Sequence, residues 1–142
     1  MIKKHETFQK EIQSDGAFKQ QNNSFTTPFG NQKGLLPVIP NKYRLLWMPA
    51  CPHAHKVVIV RKLLGLEKVI SLGQTGPYRT EHAWEFTNDL DGVDPVLGVQ
   101  YIEEVYKNAD PEYNKRATVP VFVDVETKKA VNNDHIHLTL QL

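Results

Sequence analysis

The sequence predicts an α/β sandwich, a small mixed sheet flanked by helices. Three observations carry that reading. A short apolar run, Tyr43–Met48, turns at Cys51-Pro52 into a helical segment and is followed by a second strand-like run, Lys68–Leu72. Val99, Ile102, Val105 and Tyr106 then recur at helical spacing. Finally, Thr118–Asp124 is rich in β-formers, and a charged turn joins it to Lys129-Ala130-Val131.

Residues 1–41 are polar and turn-rich, with Gln20-Gln21-Asn22-Asn23-Ser24 followed by Pro28, Gly30, Gly34, Pro37 and Pro40. No helical or alternating period survives there. Phe8, Phe18, Phe25 and Phe29 punctuate the segment at wide spacing. The composition permits a disordered arm, and it equally permits an extended arm pinned to the fold by aromatic anchors. Residues 1–41 are therefore set apart as an irregular N-terminal arm, and 42–142 as the folded domain.

After the first strand, Pro52 to about Leu64 reads as a helix. Its apolar positions Val57, Val58, Val60, Leu63 and Leu64 form more than one stripe, which predicts burial on more than one side. Gly65 suits the end of that helix. Lys68–Leu72 follows and stops at Gly73. Strand, helix and strand with short links make a βαβ unit with a right-handed crossover. Residues 73–94 read as an irregular loop, long enough to be functional or disordered. Pro95 is placed to open the second helix, which Asp110-Pro111 stops. Pro120 stands near the start of the next strand, where a missing donor is tolerated. Asn132-Asn133-Asp134 offers helix caps. Ile136, Leu138, Leu140 and Leu142 alternate as in a strand, over too few residues for the period to decide. The order is βαβ, α, then ββα, and the best-known fold of that kind is the thioredoxin fold.

With 142 residues there is room for one domain and its core. A formal net charge of +1 gives no reason to expect nucleic acid or an anionic membrane surface. No apolar run approaches the ~20 residues of a spanning helix. The start, Met1-Ile2-Lys3-Lys4-His5-Glu6, lacks the apolar stretch of a signal peptide. One cysteine cannot form an internal disulfide, so the expected home is a reducing compartment, the cytoplasm.

That cysteine is the chemical focus. Pro52 directly follows Cys51, and proline favours the first helical turn, so Cys51 falls at or near the helix N-cap. Unpaired amides and the positive end of the helix dipole there favour a thiolate. A buried structural cysteine is the alternative reading. Cys51, His53 and His55 spell Cys-x-His-x-His. Alternate residues on a helix diverge by about 200°, so all three cannot meet one ion on a helix. A partial site from Cys51 and His55 with His135 or His137 stays open, but no metal is expected. His53 is the better candidate to tune the thiol or deliver a proton.

Three segments carry a family resemblance: Tyr43-Arg44-Leu45 through Ala50-Cys51-Pro52-His53-Ala54-His55 to Gly65-Leu66-Glu67; Tyr106 through Ala109-Asp110-Pro111-Glu112-Tyr113 to Arg116-Ala117-Thr118-Val119-Pro120-Val121; and Val131-Asn132-Asn133-Asp134. From about Phe25 onward the chain resembles the N-terminal thioredoxin-like domain of the xi-class glutathione transferases, or glutathionyl-hydroquinone reductases. The resemblance implies glutathione as co-substrate. It also implies a cysteine thiolate that takes the glutathionyl group from a quinone-type conjugate as a mixed disulfide, which a second glutathione resolves. Cys51 matches the nucleophile. Val119-Pro120 matches a cis-proline step whose valine backbone pairs with the tripeptide, although an X–Pro bond without that context is cis only ~5–6% of the time. Trp84 matches a tryptophan beside glutathione, while Trp84 and Phe86 also read as plugs for the loop. Asn133-Asp134-His135 matches the segment that holds the γ-glutamyl end, and Asp134 also reads as a simple cap. Arg79 and Lys42 are candidate partners for a glutathione carboxylate.

Three departures from the family pattern stand out. Cys-Pro-Trp-Ala is here Cys51-Pro52-His53-Ala54, and Glu-Ser is Asp134-His135. The family's helical C-terminal domain does not follow, which leaves open an excised piece or a short form. Two functional readings follow. One is a glutathione-dependent thiol transferase or reductase; the other is a non-catalytic module that binds glutathione or a protein partner. An uncovered apolar face also predicts self-association.

Overall fold

A computed structural model describes residues 10–142; Phe8 lies outside them. Its centre is β1 (Tyr43–Trp47), from which α1 (Pro52–Leu63) crosses back to the parallel strand β2 (Ile70–Gln74). A hairpin of β3 (Arg79–Thr80) and β4 (Ala83–Trp84) follows, then α2 (Ile102–Ala109). The antiparallel strands β5 (Val121–Asp124) and β6 (Lys129–Asn132) lead to a short α3 (Leu138–Gln141). The main sheet runs β2-β1-β5-β6, with Leu45 opposite Leu72 on one side and Phe122 on the other.

β1 is central because both of its faces are apolar and covered. Tyr43 and Leu45 join Val57, Phe122 and Leu138 in one core. Leu46, next in sequence and so on the opposite face, joins Trp84, Phe86, Ile102, Val105 and Tyr106 in the other. Glycine at 73 suits the packing over Leu46, since a Cβ there would meet Leu46 and the Asp94 carboxylate.

Three expectations change. Helix α1 buries Ala54, Val57 and Arg61 only, while Ile59 is 50% and Leu63 79% exposed. Its inner face lies on the sheet, and the 3-10 turn at Leu66–Lys68 and the short α3 also contact it. Arg61 is buried because its guanidinium donates to the carbonyls of Ile70 (2.7 Å) and Glu67 (3.1 Å). The 73–94 stretch is not wholly irregular, since it contains the β3–β4 hairpin and a 3-10 turn at Leu90–Gly92.

Pro95 does not open α2. Asp94 accepts the amides of Val96 and Leu97 and pairs with Arg44 at 2.8 Å, fixing a separate turn. Helix α2 starts at Ile102, where Glu104 accepts the amides of Gln100 and Tyr101. The alternating C-terminal residues are helical from Leu138, which is fully buried while Leu140 is 84% exposed. The other boundaries shift slightly. Leu66–Lys68 is a 3-10 turn and β2 begins at Ile70, while Gly65 takes the left-handed conformation (φ 67°) just past α1.

The arm is extended and pinned. Phe25 packs against Tyr106 and Tyr113, and Phe29 against Tyr43 and Phe122, with ring centroids 5.0–6.0 Å apart. The Phe25 amide donates to Asn133 Oδ1 at 3.1 Å, and the Asn133 amide donates to the Phe25 carbonyl at 2.9 Å.

Glu11, Asp124 and Asp134 have carboxyls held below their usual values. Burial works the other way in each. It is outweighed by hydrogen bonds from Arg116 to Glu11, from Lys42 and turn amides to Asp124, and from His137 to Asp134. Near pH 4 the unfolded chain therefore binds more protons than the folded one, so stability rises with pH there. The contribution is complete above the unfolded pKa values and is lost as pH falls through the folded ones. Thermal melts should show a falling Tm below about pH 4, with a further gain in stability as pH rises toward about 6.5, because the His135 pKa is also lowered in the folded chain. Asp124→Asn should make that fall shallower.

Candidate functional site

Cys51 is the N-cap of α1, in extended conformation (φ −85°, ψ 112°), and Pro52 opens the helix. Its amide donates to the Met48 carbonyl at 3.0 Å, closing the turn that leaves β1, and its own carbonyl accepts the His55 amide at 2.9 Å. The first turn of α1 carries no acidic residue. The thiol is half-buried and donates to the Val119 carbonyl over 3.8 Å.

Sheet register accounts for that meeting. Val121 pairs with Leu46 in the antiparallel β1–β5 ladder, so the residues just before Val121 run alongside the end of β1 and its turn. The Val119–Pro120 peptide is cis. Behind it, the Tyr106 hydroxyl donates to the Thr118 carbonyl at 2.7 Å.

A cavity of about 320 Å³ opens in front of the thiol. Five of the predicted residues line it: Cys51, His53, Trp84, Val119 and His135. Trp84 is only 4% exposed and belongs to the core as well, whereas Phe86 is wholly core. Pro120, Asn133 and Asp134 are not among the lining residues. Asn133 binds the arm at Phe25 and donates to the Tyr106 hydroxyl at 3.3 Å. Asp134 lies beside His135, with Oδ2 2.8 Å from His137 Nδ1 and Oδ1 3.5 Å from Asn23 Nδ2.

The histidines part company. His53 meets His135 with ring centroids 4.4 Å apart. His55 turns to Trp47 and to the Pro49 carbonyl, 3.1 Å from Nδ1. Burial, then the charges of His53 and Lys56, push the His135 imidazole below its usual pKa. Among the described residues, no group of three or more His, Cys, Asp or Glu side chains is arranged to hold a metal ion.

Of the two candidate cations, Arg79 lines the cavity, its guanidinium 5.0 Å from the centre of the Trp84 ring. Lys42 is paired with Asp124 at 2.8 Å. Sequence reasoning missed Phe18, Gln20, Arg116 and Thr118 as site residues, and all four line the cavity. Arg116 stands inside one of the motif segments, three residues before Val119, so position was a usable signal for it. Phe18 had only its place among the spaced phenylalanines of the arm, and Gln20 had no signal, because nothing in the polar run shows which side chains fold back.

No family model matches the chain. Over 96 residues, 67% of its length, it is 41% identical to the glutathionyl-hydroquinone reductase PcpF of Sphingobium chlorophenolicum, covering 31% of that protein. The xi glutathione-S-transferase of Phanerochaete chrysosporium matches 92% of this chain and 42% of its own, with a TM-score of 0.81 and 31% identity. The glutathione-bound structure of YqjG, a glutathione transferase homologue from Escherichia coli K-12, matches 83% of this chain and 41% of its own, with a TM-score of 0.73 and 29% identity. The chain spans less than half the length of the curated relatives it matches. It belongs to the family of xi-class glutathione transferases and glutathionyl-hydroquinone reductases, and its fold is thioredoxin-like.

Tyr106→Phe should test how the wall behind the thiol is held. It removes the donor to Thr118 and leaves the Asn133 amide group facing a bare ring. A cost of about 1–3 kcal/mol in chemical denaturation is expected.

Proposed function

We propose that Cys51 is the nucleophile of a glutathione-dependent reductase acting on glutathionyl-hydroquinone-type conjugates. The observation that carries this is the placement of the only thiol. Cys51 caps α1 at the mouth of the cavity, 3.8 Å from the Val119 carbonyl, in a homologue of PcpF, a glutathionyl-hydroquinone reductase.

The step balances as follows. The Cys51 thiolate attacks the sulfur of the conjugate, forming a sulfur–sulfur bond as the sulfur–aryl carbon bond breaks. The electron pair of the broken bond goes to the ring carbon, which takes a proton and leaves as the hydroquinone. A second glutathione, as its thiolate, attacks the mixed disulfide, releasing oxidised glutathione and regenerating Cys51. One cysteine suffices because the reducing partner is a second co-substrate molecule. A glutathione-rich reducing compartment such as the cytoplasm suits that cycle.

Within this reading, the Val119 backbone before Pro120 pairs with the cysteinyl part of the tripeptide. Trp84 flanks it, and Asn133, Asp134 and His135 form the γ-glutamyl end. His53, beside the thiol on the first turn of α1, delivers the proton to the leaving carbon. Glutathione is a co-substrate, and no step calls for a metal.

Turnover of a glutathionyl-hydroquinone should fall roughly 10³-fold or more in Cys51→Ser and Cys51→Ala. Mass spectrometry of the native chain with conjugate alone should show one added glutathionyl group. Activity that survives both substitutions would sink the proposal. Glutathione binding without any turnover would favour the non-catalytic module. The exposed apolar face of Ile59, Leu63 and Leu140 further supports self-association. Sedimentation at rising concentration should show species larger than a monomer, and a constant monomer would oppose it.

A further inference from the structure

Of the residues in the Cys51-x-His53-x-His55 spelling, His55 is the one that does not line the cavity. It is exposed and stands one helical turn after Cys51, as the fourth residue of α1. Its ring nevertheless reaches back across the start of the helix. Nδ1 lies 3.1 Å from the Pro49 carbonyl, and the ring meets Trp47 edge-on with centroids 5.7 Å apart. A carbonyl only accepts, so the hydrogen of that pair is on Nδ1.

The contact matters because of what lies between its two ends. Trp47 closes β1 and Pro52 opens α1, so Met48 to Cys51 make the whole passage from strand to helix. Its polar groups are tied one after another. The Trp47 carbonyl accepts the Thr75 amide at 3.0 Å, and the Met48 carbonyl accepts the Cys51 amide at 3.0 Å. The Ala50 amide donates to Met48 Sδ at 3.1 Å. The Pro49 carbonyl is held by the His55 ring, while the His55 amide donates to the Cys51 carbonyl at 2.9 Å. His55 therefore grips the passage twice, by main chain at the cap and by side chain ahead of it. A side chain at the fourth helical position that reaches the residues before the cap fixes the angle at which the chain enters the helix. Such a staple is usually apolar; here it is a hydrogen bond backed by a ring contact. The entry angle in turn decides where the cap side chain points, and for Cys51 that is the cavity, with the thiol 3.8 Å from the Val119 carbonyl.

We propose that His55 is a positioning residue for Cys51, holding the Pro49 carbonyl to the first turn of α1 so that the thiol enters the cavity along one direction. The proposal rests on the reading of Cys51 as the nucleophile. The amides of a helix start favour a thiolate only within the first turn, so a small change of entry angle removes that support. Nucleophilic attack also needs the sulfur aligned with the bond it breaks, and misplacement costs rate rather than binding. His55 is outside the cavity wall, so its effect reaches the reaction through the thiol alone.

The test uses three variants of the full chain and two measurements, the rate of Cys51 alkylation by iodoacetamide at pH 7 and steady-state turnover of a glutathionyl-hydroquinone. His55→Ala removes the whole staple, and His55→Phe keeps the ring against Trp47 but removes the donor. His55→Asn carries a donor at the place of Nδ1 and no charge. His55→Ala and His55→Phe should slow alkylation and lower kcat by about threefold to tenfold with KM nearly unchanged. His55→Asn should stay within about twofold of the native chain in both. Three variants with native alkylation rates, whatever their Tm, would reduce His55 to a surface residue and overturn the proposal. A native-like His55→Phe beside a slow His55→Ala would assign the effect to ring packing, and a slow His55→Asn would assign it to the imidazole itself; either overturns the hold on the Pro49 carbonyl. A raised KM with unchanged kcat also overturns it, since the change would then lie in the binding wall. If His55→Ala does not fold, His55→Phe and His55→Asn still decide. A native chain alkylated no faster than free cysteine overturns the nucleophile reading as well, whereas a fast native thiol indifferent to all three substitutions overturns this proposal alone.

Discussion

The wall that faces Cys51 depends on one buried hydroxyl, that of Tyr106. It donates to the Thr118 carbonyl and accepts from Asn133 Nδ2. Through Thr118 it fixes the residue before Val119, whose carbonyl meets the thiol. Through Asn133 it reaches the amide and carbonyl of Phe25, and so the arm. Phe25 and Tyr113 then pack on the Tyr106 ring itself. A hydroxyl in an apolar core is tolerated only where its partners are complete, and here those partners lie in two segments, at Thr118 and at Asn133, the second of which holds the arm. Helix α2 is therefore more than packing: it carries the group that holds arm, valine step and β6 end together.

The core and the thiol were the most legible parts of the sequence because each depends on local rules. Proline after Cys51 predicted an N-cap, and the cap is there. Alternation and β-formers placed β1, β5 and β6 to within a few residues. What escaped was decided by contacts far apart in sequence. Pro95 looked like a helix start, but Asp94 is committed to Arg44 on β1, so the turn closes before a helix can begin. The apolar surplus of α1 implied burial all round, yet hydrophobicity does not say whether a second layer is present to cover it. The short hairpin at Arg79–Trp84 has two residues per strand, too few for any period to show.

The arm illustrates the limit most clearly. Its glutamines and asparagines read as solvated or disordered, and the only local hint of order was the spacing of phenylalanines. Two of these, Phe25 and Phe29, are anchors on the two sides of the sheet. The polar residues matter because their partners lie elsewhere. Gln21 reads the main chain at Arg116, and Asn23 reaches Asp134. A polar side chain that pairs with backbone leaves no compositional trace, so a glutamine-rich stretch can be an ordered wall. Ordering it costs conformational entropy, which the buried Glu11–Arg116 bonds and the aromatic contacts offset.

The same distinction between local and distant rules explains the two histidines of the cavity. Each is a departure from the family pattern, with His53 where a tryptophan is usual and His135 where a serine is usual. Taken singly, the first removes bulk beside the thiol and the second adds it. Their rings are 4.4 Å apart, so the two positions are in contact. Packing at constant volume is the kind of change that cores and clefts tolerate best. The pair is thus one substitution spread over two segments. Its chemical consequence differs from its steric one, because an indole and a hydroxyl have been exchanged for two imidazoles, whose ring nitrogens can donate or accept hydrogen bonds. Burial first, and then the neighbouring charges of His53 and Lys56, push His135 toward its neutral form.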